Sequence, residues 1–113
     1  MALPARLKPD HFKPKAKVRS YAHCDWVRGH YCSVPGCQLM PIEVAHVRRG
    51  AGGGVSMKPS DAYTLSLCRE HHAEQHRIGE QSFEARHGFR MIDKAREFYF
   101  ASPHKGKLDN PYV

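Results

Sequence analysis

The stretch Leu67-Cys68-Arg69-Glu70-His71-His72-Ala73-Glu74-Gln75-His76 puts one thiol and three imidazoles within nine residues. Read as a helix from Arg69 to about Ile78, it carries Cys68, His71, His72 and His76 on adjoining faces, because residues three and four apart are neighbours on a helix. Upstream stand Cys32 and Cys37, separated by four residues, and the segment Ile42-Glu43-Val44-Ala45-His46. Such a set can serve two metals, one in a closed sulfur-rich site and one in a more open histidine site.

Working outward, Pro41 to Val47 alternates apolar and polar residues as a strand does, and Tyr63 to Leu67 reads as a second strand. Between them residues 48–60 hold four glycines and three cations, the composition of a flexible loop. His30 to Cys37 turns through Pro35-Gly36, which predicts a tight knuckle. Ser20 is placed to cap a short helix over Tyr21 to Arg28, which Gly29 would end in a left-handed turn. Two further helices are expected: Ser82 to His87, stopped by Gly88, and Met91 to about Ala101, stopped before Pro103. Ile92, Ala95, Phe98 and Tyr99 give the last of these an apolar stripe. Residues 1–18, with Pro4, Pro9 and Pro14 among Lys and Arg, read as an extended basic arm ahead of a single domain over 19–113. No internal repeat and no second domain is visible.

A chain of 113 residues forms one small domain, and small domains bury a lesser share of their surface, so a structural metal is useful here. The four cysteines are Cys24, Cys32, Cys37 and Cys68. Two disulfides would use them all, but no apolar leader or long apolar run is seen. A reduced, cytoplasmic setting is therefore expected, in which Cys and His at these spacings read as zinc ligands. A membrane span is excluded on the same ground. The net charge of +7, from 18 Lys and Arg against 11 Asp and Glu, and a pI near 9.5 suit a polyanionic partner.

The best structural-zinc set is Cys32, Cys37, Cys68 and His71. Its first pair comes from a knuckle and its second from a strand end and the first helical turn, an arrangement like a treble-clef finger. His72 and His76 are one helical turn apart, so both imidazoles can face a second ion. His46, in the strand before the glycine loop, can take a proton from water and generate a nucleophile for phosphodiester attack. Arg48 and Arg49 stand next to it as phosphate ligands, with Lys58 and Arg69 flanking the same site. His23, His30, His87 and His104 lack partners at ligand spacing and are read as structural or exposed; His11 is solvated in the arm, and Cys24 is a packed thiol.

These residues resemble the HNH, or His-Me finger, nuclease superfamily with its ββα-metal core. The order is a strand with His46, a loop, a strand, then Leu67-Cys68 and His71-His72. More narrowly, Asp25-Trp26-Val27-Arg28, Ala45-His46-Val47-Arg48, Lys58-Pro59-Ser60-Asp61, His76 and Gly79-Glu80-Gln81-Ser82-Phe83 look like phage and prophage recombination-enhancing nucleases and related uncharacterised HNH-like proteins. Carried over by position, His46 corresponds to the general base, His72 to the last histidine of the motif's name, and His76 to the extra histidine some members add. Ala45 stands where the family often has a metal-ligating Asp or His, and no Asn lies near Tyr63, where the middle Asn would fall. Asp61 or a backbone carbonyl is left to orient the base, and Glu43 to act as a third ligand of the second metal.

The resemblance thus implies an α+β fold: a small zinc-stabilised ββα-metal, treble-clef-like core with flanking helices and a basic N-terminal arm. It implies a monomeric, phage- or prophage-related endonuclease that hydrolyses DNA in the bacterial cytoplasm, with a recombination-protein filament as a further partner. Structural Zn2+ and a second divalent metal, Mg2+, Mn2+ or Zn2+, would be its cofactors. A rival reading is a noncatalytic zinc-binding module that grips nucleic acid through its arm and loop. A third is a protein–protein adaptor whose zinc only holds the fold.

Overall fold

Ser20 has extended backbone and its hydroxyl accepts the His23 amide N–H, which starts α1 (Tyr21–Arg28) as the sequence predicts. In the computed structural model, which describes Pro4, residues 18–48 and residues 59–112, the chain continues through β1 (Ile42–His46), β2 (Thr64–Cys68), α2 (Arg69–Ile78), α3 (Glu80–His87) and α4 (Met91–Ala101) to a short 3-10 turn, Lys105–Lys107. The fold is α+β, as expected. The basic arm, apart from Pro4 and Val18, and the body of the glycine loop, with Arg49 and Lys58, lie outside the described residues.

β1 and β2 form a two-stranded antiparallel sheet in the register Ile42↔Cys68, Glu43↔Leu67, Val44↔Ser66, Ala45↔Leu65 and His46↔Thr64. Every residue of β2 is buried, whereas Ala45 alone is buried in β1. The strand Thr64-Leu65-Ser66-Leu67 can be buried on both sides because its hydroxyls are satisfied. Thr64 Oγ1 donates to the Asp61 carbonyl at 2.7 Å and Ser66 Oγ to the Tyr31 carbonyl at 2.7 Å. Leu65 and Leu67 join Val27, Val47, Phe83, Met91, Ala95 and Phe98 in one core. α4 therefore faces the sheet much as its apolar stripe predicts, with Met91 fully buried and Ile92 at the margin.

β1 is one residue shorter at each end than the expected Pro41 to Val47, β2 is shifted by one residue from the expected Tyr63 to Leu67, and two helix boundaries also differ from expectation. Gly29 closes α1 at φ −77°, so the helix does not end in a left-handed turn; its N–H still caps the helix by donating to the Trp26 carbonyl. α3 starts at Glu80, two residues earlier than Ser82, because Gly79 at φ +86° breaks α2 and the Glu80 carboxylate reaches back to accept the Arg48 amide N–H at 2.7 Å. That contact ties the end of β1 to the start of α3. Among the described residues no helix is long and apolar enough to cross a membrane.

Candidate metal centre and catalytic cleft

The knuckle closes because Gly36 adopts φ +79°, open to glycine and strained for other residues, and Cys37 donates its N–H to the Val34 carbonyl at 3.0 Å. Cys32 and Cys37 are thereby turned toward the junction of β2 and α2. There Cys68 caps α2, its sulfur accepting the His71 N–H at 3.4 Å. The ligand atoms of Cys32, Cys37, Cys68 and His71 all lie within 4.8 Å of one another. Cys37 Sγ and Cys68 Sγ are 3.9 Å apart, and His71 Nδ1 is 3.2 Å from Cys68 Sγ and 3.5 Å from Cys32 Sγ.

A tetrahedral ion at about 2.3 Å from sulfur and about 2.0 Å from nitrogen requires edges of roughly 3.8 Å and 3.5 Å. The four residues therefore could hold a metal such as zinc. Burial pushes the Cys32 thiol up to about 12, so a bound cation is what would let this thiol ionise at neutral pH. All four cysteines are free thiols, which removes the two-disulfide alternative. Phe83 and His87 of α3 pack against the His71 ring, at centroid distances of 6.3 Å and 5.0 Å, and hold it toward the thiols.

The other residues singled out in the sequence gather on a cleft of about 630 Å³. Its walls are one face of α1, the outer strand β1 and the exposed side of α2, so His46, Glu43, Arg48, His72 and His76 share it. His46 Nε2 lies 2.8 Å from Asp61 Oδ1. Since a carboxylate only accepts, Nε2 is the protonated nitrogen and Nδ1 keeps its lone pair. Asp61 is itself anchored, its Oδ2 accepting the Ser20 amide at 2.7 Å. Burial would push this carboxyl up, but the His46 and Ser20 hydrogen bonds outweigh it and hold it at about 2.

On the opposite wall His72 Nε2 and His76 Nε2 approach to 3.2 Å. The edge between two nitrogens around a tetrahedral ion is roughly 3.3 Å. Glu43, expected as a third ligand, sits with Oε1 2.9 Å from His72 Nδ1 and Oε2 3.5 Å from Arg69 Nε. The hydrogen bond with His72 holds the Glu43 carboxyl below its ordinary value. It also places the His72 proton on Nδ1 and the lone pair on Nε2, toward His76. Of the expected phosphate ligands, Arg48 lines the cleft and Arg69 stands at its margin on Glu43.

Asp61 gives the site a signature in acid. Its carboxyl is lowered from 3.8 to about 2, so its contribution is complete above the unfolded value and is lost as pH falls through about 2. Asp61→Asn is expected to lower the unfolding free energy near neutral pH by about 2 kcal/mol and to flatten the acid limb of the stability profile. Urea unfolding at neutral pH and through the acid window measures both; equal stability of the two proteins at neutral pH would contradict the assignment.

Three of the remaining histidines, His23, His30 and His87, make contacts within the fold, and His11 lies outside the described residues. His23 is fully buried between Ser102 Oγ at 2.8 Å and Thr64 Oγ1 at 3.1 Å, and burial keeps its imidazole neutral, one nitrogen donating and one accepting. His30 bonds the Trp26 carbonyl at 2.8 Å, and His87 bonds Glu74.

Two contributions were not read from the sequence. Tyr21, Cys24 and Arg28 bring a whole face of α1 to the cleft; their spacing of three and four was the available signal. The C-terminal tail braces the turn that carries Asp61, with Ser60 Oγ donating to Asp109 at 3.0 Å and Tyr112 OH to the Ala62 carbonyl at 2.8 Å. Nothing in the local sequence announces those contacts.

A family model described as Protein of unknown function (DUF968) matches residues 8–102. The chain belongs to this family. The DUF968 match takes in the Cys and His cluster and every cleft residue named above. The chain is also 34% identical to the Uncharacterized protein YdfU of Escherichia coli (strain K12), over 77% of this chain and 27% of that protein's length. No solved structure matches.

Proposed function

We propose that this DUF968 chain is a metal-dependent endonuclease of the HNH type, hydrolysing DNA phosphodiester bonds from a ββα-metal core closed by zinc on Cys32, Cys37, Cys68 and His71. One observation carries the reading: the Asp61-bound His46 and the His72–His76 pair face the same cleft. The order β1, β2, α2 with these residues on it supports the resemblance noted in the sequence. Free thiols fit a bacterial cytoplasm, and a net charge of +7 fits DNA.

His72 and His76 would hold a divalent cation, which when bound supplies Lewis-acid polarisation of the phosphate and stabilises the leaving oxygen. The chain's own residues do the rest. His46 Nδ1 accepts a proton from water as the water oxygen attacks phosphorus. The bond from phosphorus to the leaving oxygen breaks, and that oxygen takes its proton from solvent. Asp61 holds the imidazole with Nε2–H fixed and stabilises the imidazolium as it forms. Glu43 keeps His72 Nε2 unprotonated and so orients a ligand. Arg48 supplies a guanidinium for the scissile phosphate.

The noncatalytic zinc module keeps one observation in its favour: among the described residues only the thiol-rich cluster brings three or more ligands together. Cleavage assays separate the two. The purified chain, supplied with Mg2+, Mn2+ or Zn2+, is expected to cut DNA in at least one form: single-stranded, duplex, gapped or carried on a recombination-protein filament. Chelation should stop it. His72→Ala should cut poorly and recover in part with excess metal. Absence of cutting across every metal and DNA form would overturn the endonuclease reading in favour of the binding module.

A further inference from the structure

α1 turns two unlike faces. His23 and Val27 point inward with no exposed surface, and Trp26 packs at the core margin. Tyr21, Cys24 and Arg28 line the cleft that holds His46, His72 and His76. Tyr21 is 87% exposed, the most open of the large hydrophobic side chains among the described residues. Eight other Tyr, Phe and Trp rings, Trp26, Tyr63, Phe83, Phe89, Phe98, Tyr99, Phe100 and Tyr112, each pack against another ring; among the described residues Tyr21 and Tyr31 have no such partner, and only Tyr21 lines the cleft. Nothing in the packing of α1 requires an aromatic residue at this position.

The cleft around the ring is charged, with three guanidinium groups beside the carboxylates of Glu43 and Asp61. Arg19, Arg28 and Arg48 line the same cleft. Arg19 is held at the rim by the Pro59 carbonyl at 2.6 Å, and Arg28 by Asp25 on its own helix. Both side chains remain part-exposed, at 41% and 46%. An open aromatic ring beside part-exposed guanidinium groups is the combination that binds single-stranded nucleic acid: the cations follow phosphates while bases stack on the ring. A paired base inside a duplex has both faces covered by its neighbours, so only an unpaired or displaced base offers a face without an unstacking cost.

We propose that Tyr21 is a stacking platform for an unpaired base, so that the cleft prefers single-stranded DNA, or a displaced strand, to intact duplex. This rests on the nuclease reading for its placement beside His46, but stacking is read by binding alone. Tyr21 selects strand geometry and not base identity, because every base has a π face.

The test measures binding of a fluorescently labelled mixed-sequence single strand and of a hairpin duplex of equal charge, in a His46→Ala background that prevents cutting. The unmodified cleft should favour the single strand. Tyr21→Ala should weaken single-strand binding about tenfold and change duplex binding by about twofold or less, whereas Tyr21→Trp should retain the preference. Circular dichroism confirms folding of each variant. Equal losses on both probes, or no loss on the single strand, would overturn the proposal. Should the wild type cut DNA while Tyr21→Ala keeps the same preference, stacking fails and the nuclease reading stands. Should the binding pattern hold in a chain that never cuts, stacking stands and the nuclease reading fails.

Discussion

His46→Ala is expected to lower the rate of DNA cutting by about 10²- to 10⁴-fold, the usual contribution of a general base, with metal content and DNA affinity nearly unchanged. The separation follows from where the residue acts. As the proposed base, its Nδ1 would take a proton only as the water attacks, so its loss would raise the barrier without weakening the ground-state complex. The side chain is a partner of Asp61 at 2.8 Å but not one of the Cys and His metal cluster, which the substitution leaves whole. Single-turnover cutting, DNA binding and metal analysis of the same preparation measure the three quantities together. A variant that cuts as fast as wild type would remove His46 from the role of base even if the chain proves to be a nuclease.

Removal of the first metal should have the larger structural effect. Cys32 and Cys68 belong to the core cluster and Cys37 packs against it, so three of the four ligands sit where the knuckle meets the sheet. Binding of structural zinc contributes on the order of 10 kcal/mol in small metal-folded units, comparable to the whole stability of a domain. Chelation, or Cys37→Ser, is therefore expected to release about one zinc per chain and to abolish cooperative urea unfolding. Cys24→Ser is the control, because Cys24 lies in α1 outside the cluster and its replacement should leave the metal bound. Metal analysis with unfolding curves checks both. A purified chain that holds no zinc and unfolds cooperatively would sink the structural-zinc assignment.

Much of the framework was legible because it is local. Ser20 as a cap, the run Arg69 to Ile78 and the helix Met91 to Ala101 all lie where short-range pattern places them, and the alternation read over Pro41 to Val47 holds β1 within one residue at each end. Gly88 ends α3 at φ +72° as its position suggests. Gly29 shows the limit of such rules: a glycine after a helix permits a left-handed turn but does not compel one, and here the chain continues at φ −77° toward His30. Glu80 enters α3 early because its partner, the Arg48 amide, is distant in sequence.

What the sequence by itself determined, then, is the inventory and spacing of ligands. Cys68 and His71 share one helical turn, and so do His72 and His76, by the 3.6-residue period of the helix. Only the tertiary structure decided how those groups are paired. Asp61, fifteen positions from His46, becomes its partner because the β2 approach and the Ser20 amide bring the carboxylate into place. Glu43 meets His72 across the junction of β1 and α2. Tyr21 reaches the cleft only because His23 and Val27 fix the rotation of α1 against the sheet. The physical reason is the range of the forces: backbone period and caps act over one turn, whereas the cleft is assembled by packing between segments that share no local signal.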